Sequence, residues 1–356
     1  MTCTAPLLMV FSVAAVLAFA GVPPERSREA EALLKAALEL QENGKPKEAI
    51  SLYDRVIRAN PRLADAYFNR GNAYYDLGQN QAAIRDYTEA IKLNPKDAEA
   101  YFNRGNAYRR IKRHDRAYED YSAAIKLNPD DGKPYVNRGS VSFAAGRYEA
   151  AAADFSEAVR ANPQDPDAYY NRGNSLLALG RFADAIHDYT AALERDSGRA
   201  DAYYNRGVAH ARLGEHERAI ADFDASLKLD PGSAAAFYNR GLSRAKLGQN
   251  EQAIEDYSEA IRLNPRDAEA NYNRGIAYLR SGEYGRAARD FGEVIRLQPR
   301  NAEAYVYRGI ARLYQKQTRE ADADFRRAFQ LDPPLKKKLQ PIIDDARKAA
   351  EGKSGR

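Results

Sequence analysis

Glycine follows arginine at Gly71, Gly105, Gly139, Gly173, Gly207, Gly241, Gly275 and Gly309, and every interval is 34 residues. A chain held to one period over eight copies builds one small unit again and again, and an insertion inside any copy would break the register of its neighbours. A ninth, degenerate copy precedes these with Ala37 in place of the glycine. The copies begin at residues 30, 64, 98, 132, 166, 200, 234, 268 and 302. Length alone, 356 residues, would suggest two or three globular domains; the period replaces that expectation with a single array over residues 30–335.

Within each copy the small and aromatic residues fall where two packed helices need them. Position 20 is Ala in all nine copies, from Ala49 to Ala321, and position 24 is always Tyr or Phe, from Tyr53 to Phe325. Position 15 is Gly in seven copies, with Lys112 and Lys316 as exceptions, and position 32 is Pro in eight, with Ser197 in the fifth. Gly at position 15 predicts a first helix (A) ending in the left-handed conformation, which other residues adopt at a cost. Pro at position 32 predicts the end of a second helix (B), because the residue before a proline is pushed out of the helical region. The spacing gives helix A about 14 residues and helix B slightly fewer. Gly at position 8 lies inside helix A, where it costs about 1 kcal/mol against Ala. Eight such glycines imply close approach of helix B, with the small Ala at position 20 as the expected contact.

The segment AYFNRGNAYYDLGQNQAAIRDYTEAIKLNP (residues 66–95) resembles the tetratricopeptide repeat family, whose pattern is aromatic at 4, Gly at 8, Ala at 20, aromatic at 24, Ala at 27 and Pro at 32. The resemblance runs without a gap over residues 30–335. It implies an all-α, right-handed solenoid of helix-turn-helix repeats with a concave groove, used to bind other proteins. Such arrays need capped ends; the atypical first copy and a final helix over residues 336–356 with its basic tail are the expected caps.

Position 7 departs from the family's usual Leu. Arg70, Arg104, Arg138, Arg172, Arg206, Arg240, Arg274 and Arg308 occupy it, and the same eight copies have Asp at position 23, from Asp86 to Asp324. The first copy has Ala36 and Leu52, so both sites turn apolar together. This coupling points to an Arg–Asp pair bridging the two helices; a shared duplication history would produce the same pattern.

At about 100° per residue, positions 4, 8 and 11 of helix A form its core side and positions 2, 5, 9 and 12 lie nearly opposite. Position 5 carries Phe68, Phe102, Val136, Tyr170, Tyr204, Tyr238 and Tyr272. Position 6 carries Asn69, Asn103, Asn137, Asn171, Asn205, Asn239 and Asn273, and position 2 is acidic in seven of nine copies. These aromatic and amide residues, Val136 aside, form the candidate peptide-binding set. The asparagines resemble the amide ladder of protein O-glycosyltransferase repeats, which implies contact with the backbone of an extended peptide, since the amide both donates and accepts. The alternative is that each Asn serves a neighbouring helix. The family's carboxylate clamp needs basic residues at positions 2 and 5; position 5 has none and position 2 offers only Lys133, so a partner ending in acidic residues is disfavoured.

The chain carries 55 Lys+Arg against 50 Asp+Glu, and the tail from Leu335 to Arg356 holds seven basic and three acidic residues, which leaves the rest close to neutral. That balance excludes the footprint of a dedicated nucleic-acid binder. The single Cys3 and the dispersed His114, His187, His210 and His216 offer no disulfide framework or metal spacing. No GxSxG, HExxH, Cys/His pair or Gly-rich phosphate loop is present, so no enzyme activity, cofactor or metal is expected. Residues 1–20 contain an uncharged apolar run ending Ala18-Phe19-Ala20, read as a secretory signal peptide followed by a linker at 21–29, which places the protein in a bacterial periplasm. The run has no basic residue before it, and an uncleaved membrane anchor is the alternative. The expected function is a non-enzymatic scaffold for extended segments of partner proteins. A recruiting adaptor for a cell-envelope enzyme or export machinery is the second reading. The fifth copy's Asp196-Ser197-Gly198 is expected to loosen its junction.

Overall fold

The computed structural model describes residues 24–352; the N-terminal apolar run and the last four residues lie outside it. Among the described residues only helices and turns occur, in the order A, B, A, B. The A helices are α1 (Pro24–Glu42), α3 (Ala64–Asp76), α5 (Ala98–Arg110), α7 (Gly132–Ala144), α9 (Pro166–Ala178), α11 (Ala200–Arg212), α13 (Ala234–Lys246), α15 (Ala268–Arg280) and α17 (Ala302–Tyr314). The B helices are α2 (Pro46–Ala59), α4 (Asn80–Leu93), α6 (His114–Leu127), α8 (Tyr148–Ala161), α10 (Phe182–Arg195), α12 (His216–Leu229), α14 (Asn250–Leu263), α16 (Tyr284–Leu297) and α18 (Thr318–Leu331). A last helix, α19 (Pro333–Gly352), closes the array. The first helix begins at Pro24, inside the stretch expected to be a linker. The helices divide into two compact units, residues 1–171 and 172–356.

From α3 to α17 each A helix has 13 residues, and each B helix has 14, the reverse of the expected order. The turn explains it. Position 14 is already a C-cap, as at Leu77, and Gly78 follows with φ of 73°. Lys112 and Lys316 take the same left-handed conformation at φ of 60° and 64°, so the turn geometry outlasts the loss of its glycine. Helix B then runs to position 30, and the residue at 31 leaves the helix ahead of the proline. Asp97, Asp131, Ser233, Asp267 and Asn301 cap the following A helices by accepting from backbone N–H groups of their first turns.

The glycine inside helix A has a different neighbour from the one expected. A Cβ on Gly71 would stand 2.8 Å from Cε1 of Tyr87, and the same clash recurs against Tyr121, Phe155, Tyr189, Phe223, Tyr257, Phe291 and Phe325. The ring at position 24 lies across the glycine, and the Ala at position 20 is buried beside it without being the limiting contact. A flat ring needs one helix face stripped of its side chain, which Ala cannot supply.

The Arg–Asp pair forms in all eight copies, with Nε and Nη2 donating to the two carboxylate oxygens as a fork. In Arg104–Asp120 the two bonds are 2.8 and 2.7 Å. The remaining Nη1 reaches back to helix B of the preceding copy: Arg70 to Asp54, Arg104 to Thr88, Arg138 to Ser122, Arg206 to Thr190, Arg240 to Asp224 and Arg274 to Ser258. Each such guanidinium therefore ties three helices. The hydrogen bond to Asp holds Arg70, Arg138 and Arg206 charged well above the ordinary arginine range. The first copy replaces the pair by Ala36 and Leu52, and Leu52 packs against the apolar cluster of Tyr53 and Val56. At the other end Leu335, Leu339, Ile343 and Ala346 of α19 cover Val306, Ile310 and Leu313 of α17. No helix among the described residues is long and apolar enough to cross a membrane.

Candidate peptide-binding face

In the first unit the aromatic residues at position 5 are half-buried. The Phe68 ring lies 5.9 Å from that of Tyr87 and the Phe102 ring 5.9 Å from that of Tyr121, centroid to centroid. These rings continue the core stack outward from the helix-A glycine, so one edge serves packing and the other faces out. The asparagines are drawn into the same stack. Tyr87 Oη donates to Asn72 Oδ1 at 2.7 Å, and Asn103 Nδ2 of the next copy donates to the same oxygen at 3.1 Å. Tyr121, Asn106 and Asn137 repeat the arrangement at 2.9 and 2.8 Å. Asn69 is buried, and its amide donates to the Asp65 carbonyl instead. Tyr170 and Asn171 lie half-buried in α9. Burial pushes the Tyr121 phenol up to about 12.

In the second unit Tyr189 and Asn205 meet on Asn174 Oδ1 in the same way, at 2.8 and 3.0 Å. Beyond it position 9 turns aliphatic, with Val208, Leu242 and Ile276, and offers no acceptor. Here the acceptor is the position-5 tyrosine. Asn239 Nδ2 donates to Tyr204 Oη at 3.1 Å and Asn273 Nδ2 to Tyr238 Oη at 3.0 Å. Tyr238 in turn donates to Glu269 and Tyr272 to Glu303, at 3.3 and 3.2 Å. Phe therefore suffices at position 5 beside Asn72 and Asn106, whereas beside Val208 and Leu242 the acceptor is Tyr204 and Tyr238. Burial, and next the Glu269 carboxylate, push the Tyr238 phenol up to about 12.

Five of the seven asparagine amides thus bridge adjacent copies through Nδ2. Sequence reasoning held the ladder and the neighbour-serving readings open. In each of these bonds Nδ2 is the donor, and Oδ1 of the same amide is not the atom that joins the copies. The role of position 9 went unread, although the alternation of Asn with aliphatic residues there, set against Phe and Tyr at position 5, was a usable signal.

At position 2 Asp65, Glu99, Asp201 and Glu269 are exposed at the starts of the A helices, and Glu303 is half-buried. Burial, and then the neighbouring Asp97, raise Asp65 and Glu99 above the ordinary carboxylate range. A cleft of about 460 Å³ opens between α5, α7 and the end of α8. Among the described residues no cluster of His, Cys, Asp or Glu is arranged to hold a metal ion.

Models of the tetratricopeptide repeat match residues 34–83, 115–166, 136–186 and 170–234, further models of the same repeat match 98–131 and 268–301, and a TPR repeat model matches 71–112 and 241–282. No curated protein sequence matches the chain. Among solved structures the chain is similar to YrrB, described as a TPR protein with an unusual peptide-binding site, at 30% identity over 52% of this chain and 95% of that one, with a TM-score of 0.49. It is similar to MamA at 27% identity over 46% and 96% of the two chains, with a TM-score of 0.44. PilF of Pseudomonas aeruginosa shares the fold at 18% identity over 62% and 99%, with a TM-score of 0.51.

Proposed function

Because the chain belongs to the tetratricopeptide repeat family, whose fold commonly mediates protein–protein interaction, we propose that it is a non-enzymatic scaffold holding extended segments of partner proteins along its A-helix face. The observation that carries this reading is the repeated strip of that face. In the copies that begin at 64, 98, 166, 200 and 268 it brings a half-buried aromatic ring, an asparagine and a carboxylate into the same register. The inter-copy bonds fix the spacing of these groups before any ligand arrives, so little ordering entropy is left to oppose binding. Aromatic edges give contact area to side chains, and amide oxygens accept from the N–H groups of an extended backbone, whatever its sequence. The N-terminal apolar run supports export to the periplasm as the setting.

Site-specific photo-crosslinking tests the face. A crosslinking residue is placed at Asp65, Glu99 or Asp201 on the A helices, or at Arg85 or Glu255 on exposed B-helix positions. Partner adducts from native cells are expected at the first three sites and absent at the last two. Adducts confined to the B-helix sites overturn the reading.

A further inference from the structure

At the cleft in the first unit the strip of the A helices changes character. Its apolar side includes Phe102, Val136, Ala158 and Ala161, and its polar side Asp130, Asp131, Asp165 and Lys133. Its origin is legible in one substitution. Position 5 is aromatic in the copies before and after, at Phe102 and Tyr170, but is Val136 here, so the ring that would occupy this space is missing. The same copy begins with Gly132, whose absent Cβ would stand 3.1 Å from that of Ala161.

The charge around this space is one-sided. Glu99 feels the neighbouring Asp97 and Asp131 as well as Lys133, which with Asp130 and Asp165 sets five carboxylates against two cations, Lys133 and Arg160. Asp131 Oδ1 accepts from the Lys133 backbone N–H at 3.0 Å and Asp165 Oδ1 from that of Asp167 at 2.9 Å. Those caps use one oxygen of each, and a carboxylate has sites for about four hydrogen bonds. Asp130 stands 3.8 Å from Arg160, which also pairs with Glu157. An acidic ligand would meet repulsion here, whereas a cation would relieve the repulsion among the carboxylates.

We propose that this cleft is a side-chain pocket taking a Lys or Arg, with an adjacent apolar residue, from an extended segment of a partner protein. The alkyl stem lies along Phe102 and Val136 while the charged head reaches Asp131 and Asp165, the division of labour that long cationic side chains favour. The volume of about 460 Å³ is that of a small ligand site and exceeds one side chain, which is why the apolar neighbour enters with the cation. The proposal deepens the scaffold reading and rests on it.

The test selects binders for the purified full chain from a displayed library of random 12-residue peptides, then measures the consensus peptide by fluorescence anisotropy. Enrichment of Lys or Arg beside an apolar residue is expected. Affinity should fall at least tenfold in Val136→Phe, which restores the ring of neighbouring copies, and in the double variant Asp131→Asn/Asp165→Asn, which keeps both capping oxygens. Glu255→Gln on an exposed B-helix position of the second unit should change it less than twofold. Should Val136→Phe lose helicity, the Asn double variant carries the comparison. Basic peptides bound equally by both cleft variants overturn the pocket, and consensus peptides without a cation overturn its specificity while leaving the scaffold reading intact. A library that yields no binder on any variant overturns both.

Discussion

The guanidinium at position 7 settles a conflict that a tandem array creates: helix A must be fastened to its own B helix and, at Arg70, Arg104, Arg138, Arg206, Arg240 and Arg274, is fastened to the one before it as well. Arg206 does this with a fork onto Asp222 and a third bond to Thr190. Asp222 is almost wholly enclosed, so removing its partner leaves an uncompensated buried charge. Arg206→Ala is expected to cost roughly 3–5 kcal/mol by denaturant unfolding, and the apolar double variant Arg206→Leu/Asp222→Leu far less. A double-mutant cycle without coupling would contradict this. Gly71→Ala is expected to cost about 1–3 kcal/mol, because its Cβ meets a ring fixed by the rest of the core, and Gly71→Ala with an unchanged melting temperature would refute the contact. Glu99 belongs to the opposite class. Its folded pKa is raised by burial and by Asp97, so its ionised form is favoured less in the folded than in the unfolded chain. The penalty is absent below the unfolded pKa and grows as pH rises through the folded one. Glu99→Gln should therefore melt higher than the parent at pH 7 and match it near pH 3; an equal gain at both values would rule out ionisation as the cause.

At the scale of elements, the turns decide more than helix propensity does. Lys112 and Lys316 adopt the left-handed turn that seven glycines take elsewhere, so packing on both sides imposes the conformation. The Ser197 junction shows the same dominance. Asp196 leaves α10 at φ of −144° and ψ of 94°, beside −138° and 92° for Asn60 before a proline. Gly198 N–H donates to Asp196 Oδ1 at 3.0 Å, as Arg62 N–H does to Asn60 Oδ1 at 3.1 Å. The expected loosening therefore has no counterpart in the path of the backbone, and what remains is the entropy of the unfolded Ser-Gly segment. Ser197→Pro should add roughly 0.4–1 kcal/mol, read as slower hydrogen exchange over residues 190–205. Faster exchange there would mean that the native turn does not accept the ring.

For the whole chain the ends matter most, since every internal copy lends its face to the next. α19 supplies Leu335, Leu339 and Ile343 to cover Val306, Ile310 and Leu313. Ending the chain at Asp332 should strip hydrogen-exchange protection from α17 and α18 while leaving α3 to α8 as they were, because stability in an array is carried between neighbours. Undiminished protection in α17 would show that α19 is dispensable.

Sequence by itself determined the period, the helix pairs and the turns and pointed to the Arg–Asp pairing, because each depends on contacts that recur at one interval and so print the same residue types every 34 positions. It also named the strip of aromatic and amide residues. Only the tertiary structure decided what those amides do. Their Nδ2 groups join adjacent copies through residues 31 or 35 positions apart, to Asn at position 9 in one stretch and Tyr at position 5 in another, so the same bond is written with two sets of letters. The ring over the helix-A glycine and the cleft beside Val136 were settled there too. Both depend on which surfaces meet in three dimensions and on the volume left between them, quantities that residue spacing along one chain does not contain.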